Sequence, residues 1–209
     1  MSTATLRRPV ALRPTFASPH DDDRADPFQA WAVGIRASDP EAFEAFFRTI
    51  HGPLVRYAES LVREPSLARD LTQDALVRIW ERRETVDPDR SLQSLAYRTL
   101  KNLCLNRIRD RKNREELLAE EYEAPVALPA GPDQELRGTR LAERLTEWVE
   151  ELPERQREAL RLSRFQGLSH DEVAEAMGVS ARTVNNHLVR ALRVLRERIH
   201  AYEPSLLDR

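Results

Sequence analysis

The chain of 209 residues has a single cysteine, Cys104. No intramolecular disulfide and no cysteine-based metal site can be built from it. Its default place is that of a small buried apolar residue. Glycine is scarce, at six residues, and few stretches alternate apolar with polar residues. Both features argue for helices over strands. No run of ~18 apolar residues occurs, so no membrane span is expected. A dominant charge is also missing: the net charge is -2, so the chain as a whole does not announce a polyanionic partner. The five histidines, His20, His51, His170, His187 and His200, are scattered without ligand spacing. There is no glycine-rich phosphate loop and no Ser-His-Asp arrangement. These absences argue against a metalloprotein, an enzyme or a disulfide-stapled scaffold, and no catalytic residue, metal or cofactor is expected.

What the chain does have is charge, at 33% of residues, beside 41% hydrophobic residues. That is enough to fill small helical cores and too charged for one large buried sheet. Residues 1–26 are polar and broken by Pro9, Pro14 and Pro19. They lack an apolar h-region and are expected to be a disordered tail, not a signal peptide, which makes the chain cytoplasmic by expectation.

Helical signals then begin. Asp26-Pro27 and Asp39-Pro40 each match an N-cap followed by proline at the first helical position. Phe28, Trp31, Ala32 and Ile35 form one apolar stripe. Gly52-Pro53 predicts a break before LVRYAESLV, and Ser66 is the expected cap of the next helix. That helix buries Ala68, Leu71, Ala75, Leu76 and Ile79 and is followed by a polar loop containing Pro88. From Ser91 a long helix runs toward Arg114, with Leu92, Leu95, Ala96, Leu100 and Leu103 on its apolar face and Ile108 at the margin of that face. Its end is basic: Arg98, Lys101, Arg107, Arg109, Arg111, Lys112 and Arg114 are opposed only by Asp110, with Tyr97, Asn102 and Asn106 interleaved. Such a face attracts phosphates, although a basic helix end also complements the helix dipole.

Residues 115–135 carry seven acidic side chains, no Lys or Arg, and Pro125, Pro129 and Pro132. They predict a semi-stiff linker between two domains, one that could fold back on the basic helix end and shield it. The second helical block, 136–200, opens with the stripe Leu141, Leu145, Trp148, Val149 and Leu152, and Pro153 starts the next helix, which Gly167 ends. Residues 201–209 are a C-terminal tail.

The segment SHDEVAEAMGVSARTVNNHLVRAL carries the most chemistry. Ser169 and Glu172 have capping-box spacing. Gly178 stands where a left-handed residue must end the first helix, and Ser180 caps the second. Ala174 lets the two helices cross closely, and Val173, Met177, Val179, Val184 and Leu188 supply their shared core. This spacing matches a helix-turn-helix. With Val184 and Leu188 inward, Arg182, Asn185, Asn186, Arg190 and Arg193 point outward, and no Asp or Glu occurs from 180 to 196. These side chains suit hydrogen bonding in a DNA major groove.

Taken together, DLTQDALVRIW (70–80), SLAYRTLKNLCLNRIRDR (94–111), LPERQREALRL and the helix-turn-helix resemble an extracytoplasmic-function sigma factor of the sigma-70 family. The resemblance covers about 27–114 (region 2) and 136–200 (region 4). It implies an all-α fold of two helical domains joined by a flexible linker. It also implies the activity of directing RNA polymerase core to promoters. Asp70, Gln73, Asp74 and Arg78 would dock on the clamp helices of the largest polymerase subunit. Tyr97, Arg98, Lys101, Asn102 and Asn106, with the loop 84–92, would capture single-stranded -10 bases. Arg182, Thr183, Asn185, Asn186 and Arg190 would read the -35 duplex. An anti-sigma factor is an implied partner. Taken alone, a tyrosine such as Tyr97 is more often a half-buried packing residue, and Trp80 is open between core and contact. Leu95 stands where the family usually has Trp, Ala96 where it has Leu, and Ala181-Arg182 where many members have x-Gly. Three other classes stay open on the residues: a regulator of the LuxR type, which needs a sensor domain; a nucleic-acid enzyme; and a helical adaptor.

Overall fold

The structure is a computed structural model that describes residues 26–118 and 139–202. Most of the expected tails and of the acidic linker lies outside the described residues; Ala201 and Tyr202, expected in the C-terminal tail, instead continue the last helix. Eight helices and no strand are found among those described.

Helix α1 spans Pro27–Arg36 and starts as its sequence directs: Asp26 accepts from the Phe28 N–H at 3.0 Å, with Pro27 at the first position. Ala32 and Ile35 are buried, and Phe28 and Trp31 pack over them. Helix α2, Pro40–Val62, is capped the same way by Asp39, which accepts from the Glu41 N–H at 2.9 Å. The two helices cross closely at Gly34, where an added Cβ would lie 2.5 Å from the Ala42 Cβ.

The break predicted at Gly52-Pro53 is corrected: α2 runs through both residues. An internal proline costs ~3 kcal/mol through one lost hydrogen bond and a clash with the preceding turn. The buried stripe Phe46, Ile50, Leu54, Tyr57 and Ala58 crosses the site without a change of phase. Each large side chain in it contributes roughly 1.5–3 kcal/mol by burial, so the stripe outweighs the proline.

Helix α3 is Pro65–Glu81. Ser66 is not its cap. Pro65 takes the first helical position and leaves Glu64, with extended backbone, as the cap residue; Ser66 donates to the Glu64 carboxylate at 3.3 Å. The stripe Ala68, Leu71, Ala75, Leu76 and Ile79 is buried as expected, together with Thr72, whose hydroxyl donates to the Ala68 carbonyl at 2.8 Å. The polar loop that follows is pinned by Val86, which is buried, and by Arg83, which stacks on Trp80 and donates to the Ser38 hydroxyl at 2.8 Å. Ser91 accepts from the Ser94 N–H at 3.2 Å and so caps α4, Leu92–Leu118.

In the second block, α5 is Thr139–Glu150 and α6 is Glu154–Leu160. The single helix predicted up to Gly167 is modified at its end: Arg161–Phe165 form a wider π turn, closed by the Gln166 N–H on the Arg161 carbonyl at 3.1 Å. The helix-turn-helix follows as α7, His170–Met177, and α8, Ala181–Tyr202. Both arms of the capping box are made, between Ser169 and Glu172. Gly178 takes φ +67°, the left-handed conformation that ends α7 and that other residues adopt only under strain.

The two blocks share one continuous core. Helix α4 lies against α7, and α2 against the turn that ends α6.

Candidate nucleic-acid interface

Three faces carry the residues singled out in the sequence. On α3, burial of Leu71, Ala75, Leu76 and Ile79 turns Asp70, Gln73, Asp74 and Arg78 outward, and all four are exposed. None of them forms an ion pair among the described residues, so their charges are available to a partner. Val77 sits among them and is 53% exposed. Its apolar side chain is out of phase with the buried stripe, a signal already present in the sequence and overlooked there. Trp80 is half-buried, with its ring 4.9 Å from that of Phe43, and belongs to the packing.

On α8, Val184, Leu188, Ala191 and Leu195 are buried against α6 and α7. Arg182, Asn185, Asn186 and Arg190 are consequently exposed on the outer face. Thr183 is half-buried: its N–H donates to the Ser180 hydroxyl at 3.2 Å, and the two hydroxyls are 2.8 Å apart. Its first role is therefore to begin the helix. His187 is half-buried, as its spacing from Val184 implies. Val189, one helical turn beyond Asn185 and Asn186, is 58% exposed. It is a second out-of-phase apolar residue on a polar face. Arg193 is partly engaged by Glu197 at 3.9 Å.

Helix α4 departs from expectation. Asn102 and Asn106 are exposed and Arg98 is half-buried. The amide oxygen of Asn106 accepts from Arg109 at 3.4 Å. Tyr97, however, is 1% exposed, and Lys101 pairs with Glu158 on α6. Neither lies on an open surface in this arrangement. The tyrosine ring packs edge-on to Tyr57 at 5.3 Å, and its hydroxyl donates to Gln166 Oε1 at 3.2 Å. Burial raises the pKa of both tyrosine hydroxyls, so both stay neutral, and that of Tyr97 donates. Periodicity missed this because both residues lie at the margin of the α4 core stripe, where only the position of the second block decides burial.

The contact between the blocks is polar along its rim. Arg90 pairs with Glu175 at 2.7 Å. Ser91 donates to Glu172 Oε1 at 2.8 Å, and Ser94 to the Glu172 carbonyl at 2.9 Å. On the α2 side, Arg161 pairs with Glu150 and donates to the Ser60 carbonyl at 3.2 Å, and Arg63 approaches Glu150 at 3.3 Å. Among the described residues, no group of three or more His, Cys, Asp or Glu side chains could hold a metal ion. No described helix is long and apolar enough to cross a membrane.

Comparison with known proteins gives two family matches: "Sigma-70 region 2" over residues 46–114 and "Sigma-70, region 4" over residues 142–195. The chain is 34% identical over 161 residues to the RNA polymerase sigma-E factor of Streptomyces coelicolor, spanning 76% of this chain and 86% of that one. It is 29% identical over 167 residues to the ECF RNA polymerase sigma factor SigE of Mycolicibacterium smegmatis, spanning 79% of this chain and 64% of that one. Among solved structures it superimposes with TM-score 0.60 and 21% identity on CnrH bound to the cytosolic domain of CnrY, covering 84% of this chain and 99% of that one. It superimposes with TM-score 0.60 and 22% identity on Bartonella quintana RpoE bound to the anti-sigma factor NepR, covering 80% of this chain and 98% of that one.

Proposed function

The chain belongs to the sigma-70 family as a transcription-initiation sigma factor of the extracytoplasmic-function type, and from that premise we propose that it recognises its promoters at two points. The outer face of α8 reads the -35 duplex. The face of α4, with the loop before it, holds single-stranded -10 bases. Helix α3 docks on the clamp helices of the polymerase through Asp70, Gln73, Asp74 and Arg78. The polymerase makes the bond; this chain positions the DNA for it. A partner of the anti-sigma class also belongs to this reading, since one similar structure is of the sigma factor RpoE in complex with the anti-sigma factor NepR.

The observation that carries the proposal is the α8 face. Arg182, Asn185, Asn186 and Arg190 are exposed there together, with no carboxylate on the helix before Glu197. Arginine and asparagine make directional bonds to guanine and adenine edges, each worth about 1–3 kcal/mol of discrimination. Run-off transcription with purified core polymerase tests the whole. Promoter-specific transcripts are expected. Arg190→Ala should weaken -35 binding by about 1–3 kcal/mol, whereas Asp74→Ala should weaken core binding and leave -35 affinity unchanged. Wild-type behaviour of both variants would remove these roles.

A further inference from the structure

The loop 84–92, assigned above to -10 bases, is fastened at its near end to a part of the chain that has so far been given no role. The short 3-10 turn Arg83–Thr85 opens it. Arg83 donates from Nε to the Ser38 hydroxyl at 2.8 Å and from Nη1 to the Trp80 carbonyl at 3.0 Å, and its guanidinium lies 4.9 Å from the centre of the Trp80 ring. Val86, next along, is buried, and Arg36 reaches its carbonyl at 3.5 Å. The residues that follow are held locally. Asp87 accepts from the Asp89 N–H at 3.1 Å through its side chain and from the Arg90 N–H at 3.1 Å through its carbonyl. The place of this stretch beside α4 is therefore set by the Ser91 cap at one end and by Arg83 and Val86 at the other.

Ser38 is a fixed point. It stands at the corner between α1 and α2, where its N–H donates to the Ile35 carbonyl at 3.0 Å and the Asp39 N–H donates to the Gly34 carbonyl at 2.9 Å. Its φ is +65°, a left-handed conformation that serine adopts only under strain. Such strain persists where the surroundings over-determine it, and it collects where geometry serves function. A corner with no other task would carry glycine. Serine gives this one a hydroxyl, and the hydroxyl accepts from Arg83. The corner also precedes residues 46–114, the stretch matched to Sigma-70 region 2.

We propose that Ser38 and Arg83 are positioning residues for -10 recognition, through which the α1–α2 corner sets the capture loop against α4. The inference rests on the -10 assignment of that loop. Neither side chain has to touch DNA. A base taken out of its stack is read by hydrogen bonds that tolerate little displacement. A loop free to shift at its near end still meets the strand but distinguishes its bases poorly. Removing the Ser38 hydroxyl leaves the charge of Arg83 in place, so the attraction for phosphates is unchanged.

The test separates positioning from stability. Ser38→Gly relieves the backbone and removes the acceptor, whereas Ser38→Asn suits the left-handed region and restores an acceptor oxygen. Capture of two fluorescent single strands by the full chain with core polymerase is read by anisotropy. One strand covers the -10 element of a promoter mapped by run-off transcription, and the other has those bases scrambled. Ser38→Gly is expected to melt no lower than the wild type and yet to reduce the ratio of the two affinities about three- to tenfold, the worth of one hydrogen bond. Ser38→Asn is expected to keep the wild-type ratio, and both variants should keep wild-type affinity for core polymerase and for -35 duplex. A wild-type ratio in Ser38→Gly, or an equal loss on both strands, overturns the positioning role and leaves the -10 assignment standing. A ratio in Ser38→Asn as low as in Ser38→Gly overturns the part given to the hydrogen bond. No discrimination by the wild-type chain overturns the -10 assignment and this inference with it.

Discussion

Val189 offers a quantitative test of how α8 meets duplex DNA. An apolar side chain on a polar reading helix is suited to the methyl group of thymine, the one apolar feature of the major groove. Fully burying a valine contributes about 1.5–3 kcal/mol, and Val189 is 58% exposed, so roughly 1–1.7 kcal/mol remains to be gained on binding. Val189→Ala should therefore weaken -35 affinity by up to about five- to twentyfold. The change is confined to an exposed position, so thermal stability should move by no more than about 0.5 kcal/mol. The assay is titration of reconstituted holoenzyme on duplex -35 probes in which each thymine in turn is replaced by uracil, which lacks the methyl group. One replacement should cost the wild type a comparable factor and cost the alanine variant nothing further, a coupling of at least about 0.5 kcal/mol in the double-mutant cycle. Equal losses for the two proteins at every thymine, or an unchanged affinity of Val189→Ala, would refute a methyl contact at this position.

Three further outcomes follow from the geometry. Val77→Arg should cut core-polymerase affinity at least about tenfold, as expected for an apolar anchor at the centre of a docking face, with an unchanged melting temperature; a pull-down against core beside a thermal melt checks both. Gly34→Ala should destabilise by about 1–3 kcal/mol in urea titration, because its new Cβ would meet the Ala42 Cβ at 2.5 Å and α1 must move away. Burial raises the Cys104 thiol from 9.0 to about 12, so the folded chain holds a proton that the unfolded chain loses. That contribution is complete below pH ~9 and should fall by about 1.4 kcal/mol per unit until about pH 12, in parallel with those of Tyr57 and Tyr97 at higher pH. Denaturant midpoints measured from pH 8 upward should decline, and Cys104→Ala should flatten the first part of the decline.

The helix starts were legible wherever a cap and a proline or an acidic partner stood together. Asp26-Pro27, Asp39-Pro40 and Ser169 with Glu172 act through contacts two or three residues apart, which no tertiary packing has to arrange. The α3 and α8 faces were legible because a strong buried stripe fixes the phase of the whole helix. The Gly52-Pro53 step was misread because local propensity was weighed without the long stripe that overrides it. Ser66 was misread because the proline beside it sets the start of the helix. Val77 and Val189 were legible too: both stand out of phase with the buried stripes of their helices and are exposed on otherwise polar faces.

From sequence alone came the family, the helices, the turn at Gly178 and the residues that face outward on α3 and α8. These depend on covalent geometry, spacing and burial within one helix and its immediate neighbours. Only the tertiary structure decided that Tyr97 and Lys101 are covered, because their partners Gln166 and Glu158 lie more than fifty residues away along the chain. Whether a donor on a helix margin meets water, DNA or a carboxylate depends on where a second body rests, and no periodicity within α4 encodes that position.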